Sequence, residues 1–337
     1  MSNLHVSAAP HINSGATTHN VMRDVAIALL PATVAAVVYF GLQALLIVLV
    51  SVASAVLAEF LFNLVCKKKQ TIFDFSAVVT GLILALNYST RVPLWLCAVG
   101  SAFAIIVVKC LFGGLGKNIA NPAAAARVFL LIAFAGLVGG GTLPTLGNNE
   151  VINEAGEVVQ AEVGFFDVAF GDTSDILVTG ATPLAQVKTD NATSILDLLI
   201  GNHGGTIGEI CALALLLGYA YLVWRGVIKW YVPLAFVATV FGLFLISDGI
   251  EVALYEVLAG GLLFGAIFMA TDYVTTPLSN LGKVVFCIGC GVITFAFRIG
   301  FVGGGLPEGV SISILFMNLL TPMIEQWTNP RTLGGVK

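Results

Sequence analysis

The sequence predicts an all-α polytopic membrane protein of about ten transmembrane helices, arranged as two five-helix halves around one long polar segment. Three observations predict it. Apolar residues fill 58% of the 337 positions and charged residues only 10%, against roughly 25% charged in ordinary soluble domains. The apolar residues fall into runs near the ~20 residues that a spanning helix needs. Lys and Arg collect on alternate connections between those runs, as they do in multi-pass proteins.

Residues 1–21 are polar and lack the apolar stretch of a cleavable signal peptide, so the first spanning helix is expected to direct insertion itself. The first half, 22–139, holds runs near 22–40, 42–65, 74–90, 92–112 and 121–139. A polar segment, 140–206, follows. The second half, 207–327, holds runs near 207–224, 229–247, 251–271, 284–302 and 309–327, and 328–337 form a tail. The third run is short and ends in Asn87-Tyr-Ser-Thr-Arg91; the eighth leads into Met269-Ala-Thr-Asp-Tyr-Val-Thr-Thr-Pro277. Both are expected to be broken or re-entrant, because irregular backbone at membrane depth lines a cavity. An odd number of helices per half means that, if the halves are repeats, the second is inverted. Thr80-Gly-Leu-Ile-Leu-Ala-Leu86 echoes Gly260-Gly-Leu-Leu-Phe-Gly-Ala266, and Gly113-Gly-Leu-Gly-Lys-Asn118 echoes Gly303-Gly-Gly-Leu-Pro-Glu308.

Orientation follows from the cations. With the N-terminus inside, the inner side collects Arg23, Lys67, Lys68, Lys69, Lys109, Lys117, Arg127, Arg225, Lys229, Lys283, Arg331 and Lys337, and the outer side keeps Arg91, Lys188 and Arg298. Both termini are then cytoplasmic and residues 140–206 extracytoplasmic. That outer segment is acidic, with Glu150, Glu154, Glu157, Glu162, Asp167, Asp172, Asp175, Asp190 and Asp197.

Within it, Asp175-Ile-Leu-Val-Thr-Gly-Ala-Thr-Pro-Leu184 presents a hydroxyl among small residues. Pro183 disfavours helix at Thr182, and Gly180 and Ala181 add almost no bulk, so a modifying enzyme can grip the strand. Thr179-Gly-Ala-Thr182 resembles the acceptor to which flavin transferases attach FMN through a phosphoester. Ser14-Gly-Ala-Thr17 is a second copy, but it precedes the first helix on the inner side, where such transferases do not work, and no acid stands upstream of it.

Carboxylates inside membranes are costly and so are functional hypotheses. Glu59 and Glu256 lie within helices, Asp74 and Asp272 at helix ends. Each is a candidate for an ion path, with pairing to a polar neighbour as the alternative. Arg298 is either an interfacial anchor or the partner of an acid. Cys287 and Cys290 form a C-x-x-C at helical spacing inside an apolar run, which reads as structural. His5, His11, His19 and His203 show no metal-ligand spacing, and there is neither a G-x-G-x-x-G on a strand–helix unit nor a four-cysteine cluster motif. No nucleic-acid partner is indicated, and no metal or catalytic residue is assigned.

Pro10-His-Ile-Asn-Ser-Gly15, Asp24-Val-Ala-Ile-Ala-Leu-Leu-Pro31, Asn121-Pro-Ala-Ala-Ala-Ala-Arg127, Gly180-Ala-Thr-Pro-Leu184, Met269-Ala-Thr-Asp-Tyr-Val-Thr-Thr-Pro-Leu278 and Pro307-Glu-Gly-Val310 run in order across nearly the whole chain. Together they resemble the RnfD component of the Rnf electron-transport complex and, by homology, the NqrB component of the sodium-pumping NADH:quinone reductase. The chain begins without the longer N-terminal extension typical of the latter, which favours the former. Tyr273 departs from the family pattern, where proline commonly follows Met-Ala-Thr-Asp.

The resemblance implies a subunit in the cytoplasmic membrane of a bacterium or archaeon. Its complex passes electrons between ferredoxin and NAD and couples them to Na+ or H+ movement; the subunit is not expected to be active alone. It implies covalent FMN on Thr182, a flavin transferase for maturation, other Rnf subunits as partners, and a second, non-covalent flavin (riboflavin or FMN) within the bundle. For the latter, Thr80 and Asn121 are candidate hydrogen-bond partners, with Gly81 allowing close approach. Asn121-Pro122 also reads, more simply, as a helix N-cap with proline at the first helical position. The rival reading is a solute channel of urea-transporter-like fold without redox chemistry, which needs no exposed Gly-Ala-Thr-Pro and purifies colourless.

Overall fold

The computed structural model describes residues 17–139, 141–142, 150–152, 158–160, 179–180, 195–201, 203–300 and 309–328. Each of the ten expected runs carries helix. In chain order these are α1 (Thr18–Phe40), α2 (Leu42–Val65), α3 (Ser76–Leu86), α4 (Leu94–Phe103, continued as a π-helix Ala104–Cys110) and α5 (Pro122–Ala133). The short helix α6 (Ala135–Val138) precedes the polar segment and the short helix α7 (Ile195–Ile200) lies near its end. Then come α8 (Ala212–Trp224), α9 (Tyr231–Ser247), α10 (Ile250–Leu258), α11 (Leu262–Phe264, continued as a π-helix Gly265–Met269), α12 (Asn280–Arg298) and α13 (Gly309–Thr328).

The span lengths differ from the expectation of ten full crossings. By length and composition α1, α2 and α12 are each able to cross a membrane, and α10 with α11 and its π-helix makes a fourth if the bent pair is one span. The 11 residues of α3 rise only ~16 Å, against a ~30 Å hydrocarbon core. Apolar composition marked the run, but its last residues leave the helix. The eighth run does break, yet at Ala259–Gly261 with a 61° bend rather than beyond Met269. Gly260 and Gly261 take φ of 70° and 68°, a left-handed backbone that a side chain would strain.

Packing repeats between the halves: α2 lies on α3 and α4, and α9 lies on α10 and α12. The halves join through α1 against α8 and α5 against α13. The first joint is tied by Asp24, 4% exposed, which accepts from Arg225 at 3.0 Å and from the Tyr221 hydroxyl at 3.4 Å.

Non-helical backbone in the core is satisfied by other non-helical backbone. At the end of α3 and just beyond it, Leu86 and Tyr88 offer carbonyls to the N–H groups of Gly208 (2.7 Å) and Ile207 (2.8 Å) from the chain that enters α8. Buried peptide groups need such partners, above all where no water reaches. In the polar segment two short antiparallel ladders are described, β1 (Gly141–Thr142) with β4 (Thr179–Gly180) and β2 (Glu150–Ile152) with β3 (Val158–Gln160).

Candidate functional site

An open cleft, whose ≈ 770 Å³ of empty space includes open solvent, lies between the ends of α1, α3, α5 and α8 and the segment after the second π-helix. Val25, Val79, Ile83, Leu222 and Phe268 give it apolar walls; Ser76, Thr80, Lys109, Asn118, Asn121 and Asp272 give it polar groups.

Asn118 sits in the glycine-rich turn before α5, where Gly113, Gly114 and Gly116 have φ of 114°, 93° and 89°. That turn carries the chain from α4 back to α5 and brings Asn118 to the cavity. Asn118 is 8% exposed, and its Oδ1 is buried with no hydrogen-bond partner among the described residues. An orphaned acceptor costs free energy until a donor meets it.

Asn121 is committed elsewhere. Its Oδ1 caps α5 by accepting from the Ala123 and Ala124 N–H groups (3.0 and 3.3 Å), and its Nδ2 donates to the Met269 carbonyl at 3.2 Å. The capping reading therefore holds, and the residue also stitches the start of α5 to the end of the second π-helix. Thr80 donates to the Ser76 carbonyl at 2.9 Å, which leaves its oxygen as an acceptor toward the cavity. Gly81 is placed otherwise than expected. A Cβ there would stand 2.8 Å from Val52 Cα and 3.0 Å from the Ser51 carbonyl oxygen, so this glycine lets α3 close on α2 and does not line the cavity. Small residues serve that purpose between membrane helices.

Beside the cavity is a buried ionic cluster. Lys109 Nζ donates to Glu59 Oε1 at 2.9 Å and to Ser76 Oγ at 2.6 Å; the two charged side chains are 2% and 1% exposed. The Thr71 hydroxyl also donates to Glu59 Oε1, at 2.5 Å, and Asn63 Nδ2 donates to that hydroxyl at 3.1 Å. Asp74 accepts from Ser76 through both the hydroxyl and the backbone N–H, an arrangement set by the left-handed turn at Phe75 (φ 63°). Glu59 Oε2 is buried with no partner among the described residues. On the other side of the cavity, Asp272 accepts from the Val274 N–H (3.2 Å) and the Thr275 hydroxyl (3.1 Å). Burial pushes its carboxyl above the usual range, against those two hydrogen bonds.

The second half carries its own buried pair. Arg298 Nη1 donates to Glu256 Oε2 at 2.9 Å and to the Glu256 carbonyl; its Nη2 donates to the carbonyls of Gly260 (2.9 Å) and Ala259 (3.4 Å). Arg298 is thus the partner of an acid, not an interfacial anchor. Its planar fork satisfies the carbonyls that the break after α10 leaves open. A smaller cleft lies nearby, lined by Asn87, Arg127, Glu209, Gly261, Met269 and Ser311.

Sequence reasoning named Glu59, Thr80, Asn121 and Asp272, and the structure brings all four to this cavity or its edge. It missed Lys109 and Asn118. Lys109 was counted only as an inner-side charge, although a lysine inside an apolar run, in a chain with a glutamate inside another, was the available signal. Asn118 gave none beyond the glycines before it. Thr182, Ala181 and Asp175 lie outside the described residues; of the motif, Thr179 and Gly180 pair with Thr142 and Gly141. The rival Thr17 hydroxyl caps α1, accepting from the Asn20 N–H at 3.3 Å. Cys287 and Cys290 are free and fully buried in α12, and among the described residues no three His, Cys, Asp or Glu gather as a metal site.

A sequence model of one protein family matches residues 5–334, nearly the whole chain. The chain belongs to the NQR2, RnfD, RnfE family. Its relatives include the D component of the Na(+)-translocating ferredoxin:NAD(+) oxidoreductase complex of Acetobacterium woodii, 42% identical over 99% of this chain and 96% of that one. The D component of the proton-translocating ferredoxin:NAD(+) oxidoreductase complex of Clostridium ljungdahlii is 33% identical over 98% of this chain and 96% of its own length. The D component of the ion-translocating oxidoreductase complex of Stutzerimonas stutzeri is 36% identical over 93% and 91%. A member of the NQR2, RnfD, RnfE family with apolar helices of this kind is a membrane protein.

Proposed function

We propose that this chain is the flavin-carrying membrane component, of the RnfD type, in an ion-translocating ferredoxin:NAD+ oxidoreductase complex. The observation that carries the reading is likeness along nearly the full length to relatives named for such complexes, one for Na+ and one for protons. The coupling ion is accordingly Na+ or H+. The solute-pore alternative finds no support in those relatives.

In this reading the Lys and Arg asymmetry sets the N-terminus inside, and residues 140–206 outside, with the second half inverted relative to the first. Thr182, held extended by Pro183, carries FMN as a phosphoester added by a flavin transferase. The ladder that pairs Thr179 and Gly180 with Thr142 and Gly141 supports an extended acceptor strand.

The orphaned Asn118 Oδ1 supports a second, non-covalent flavin in this cavity: an isoalloxazine edge brings the N–H donor that this acceptor lacks. A flavin bound there supplies transfer of one or two electrons. Asn118 and the Thr80 oxygen orient it by accepting, Lys109 offsets negative charge, and Val25, Val79, Ile83 and Phe268 exclude water. Glu59, Asp74, Asp272 and Glu256 remain the carboxylates proposed for the ion path.

The test is ultraviolet-excited fluorescence of the denatured protein in a gel, with wild type, Thr182→Val and Thr17→Val each co-expressed with the transferase. Loss of the fluorescent band in Thr182→Val alone is expected. A dark wild-type band, with the transferase active on another substrate, defeats the covalent-flavin reading.

A further inference from the structure

We infer that the Glu59 cluster is a monovalent-cation site which the Lys109 ammonium occupies in this structure, and that Lys109 vacates it for the adjoining cavity when negative charge enters there. The inference rests on reading the cavity as a redox-cofactor site.

The cluster has the chemistry of a cation site. Glu59 Oε1, Thr71 Oγ1 and Ser76 Oγ converge from α2, the turn before α3 and α3 itself, and the ammonium stands 2.9 and 2.6 Å from two of those oxygens. Hard monovalent cations take oxygen ligands of this kind. Glu59 Oε2 adds a buried acceptor with no partner among the described residues, so the carboxylate is only half used. Lys109 also lines the cavity, as does Ser76, which places the ammonium on the boundary between the two spaces.

Lysine suits an exchange better than arginine does. It is a point charge on a flexible four-carbon stem with three rotatable donors, and two of these are engaged here. An electron supplied by the low-potential donor of the complex adds one negative charge to the cavity, and the ammonium is drawn toward it. Glu59 is then left buried beside the neutral Thr71, Asn63 and Ser76, with the Asp74 carboxylate, itself bonded to Ser76, adding negative charge to the cluster. A bare carboxylate there is costly enough that it takes a cation in place of the one it lost. The balance is one electron into the cavity, one cation into the cluster, and no net charge added. If the cation is Na+, no covalent bond changes; if it is H+, an O–H bond forms on Glu59. Oxidation returns Lys109 and expels the cation.

The test measures cation uptake by the purified complex, oxidised and then reduced with dithionite. One arm uses radioactive sodium at alkaline pH, and another uses a pH indicator in sodium-free buffer. Acid-extractable flavin is assayed on the same samples. Wild type is expected to take up one cation on reduction, and the arm that shows it identifies Na+ or H+. Glu59→Gln should take up none in either state. Lys109→Met should hold the cation in both states, because the tenant is gone. Lys109→Arg should take up none, because a guanidinium stays locked on the carboxylate; this variant keeps the ion pair and stands in if Lys109→Met fails to fold. Uptake in Glu59→Gln equal to wild type, or a redox-linked rise in Lys109→Arg equal to wild type, overturns the inference. Absence of extractable flavin, with Lys109→Met still holding its cation, defeats the cavity reading alone and leaves the cation site standing.

Discussion

Among the described residues each half buries one ion pair within itself, and the two pairs are built for opposite ends. In the second half Arg298 touches the Glu256 carboxylate and three carbonyls around the bend after α10. In the first half Lys109 holds one carboxylate oxygen and one hydroxyl, leaves Glu59 Oε2 without a partner among the described residues, and faces a cavity. A planar cation with many partners fixes a broken helix; a compact cation with few can move. The halves share a packing pattern, yet of these two pairs only the first keeps a charge free to exchange.

The largest expected effect comes from breaking the fixed pair. Arg298→Met takes the guanidinium from the Glu256 carboxylate and leaves the carbonyls of Ala259 and Gly260 open, a cost of about 3–5 kcal/mol, with loss of assembled complex. Glu256→Gln in the same chain should recover little, because the carbonyls stay unmet. Lys109→Met is expected to be largely rescued by Glu59→Gln, since beyond the pair only the hydrogen bond to Ser76 Oγ is lost. Thermal unfolding of wild type, the four single variants and the two doubles, read as two double-mutant cycles, checks both statements, and equal rescue at the two sites contradicts the distinction.

A smaller effect separates packing from binding within α3. Gly81→Val drives a side chain into the backbone of α2 and should destabilise by about 1–3 kcal/mol, while the folded fraction keeps its extractable flavin. Asn118→Leu should do the reverse: stability unchanged or slightly raised, as an unsatisfied acceptor disappears, and flavin affinity down by roughly tenfold for one lost hydrogen bond. Fluorescence titration of the stripped complex with flavin reads the second outcome.

The smallest expected effect concerns Asp272. Its carboxyl is raised by burial, so the folded state binds its proton more tightly than the unfolded chain does. That contribution is present below the ordinary carboxylate pKa and is lost as pH rises toward the raised one. Asp272→Asn should therefore flatten stability against pH in the mildly acidic range. A wild-type slope left intact in the variant assigns it to another group.

Helix positions were legible because a lipid environment selects for apolar runs. Glu59 and Glu256 were legible because charge is rare within such runs. What composition does not encode is the face of a helix that meets a neighbour, so Gly81 was read toward the cavity when it belongs to the α2 contact. Nor does it encode pairing across 50 residues, as between Glu59 and Lys109, or the ends of short helices such as α3, whose last turn gives way to backbone bonded to Ile207 and Gly208. The acceptor motif is a local signal, and its Thr182 lies outside the described residues.

The central claim is that the cavity beside Lys109, lined by both halves, holds a flavin apart from the one proposed on Thr182. Acid-extractable and protein-bound flavin, measured separately on the purified complex for wild type and Thr80→Phe, test it most directly. The account predicts that wild type contains both and that the phenylalanine removes only the extractable one, the bound flavin certifying the fold. Extractable flavin at wild-type level in Thr80→Phe would contradict it.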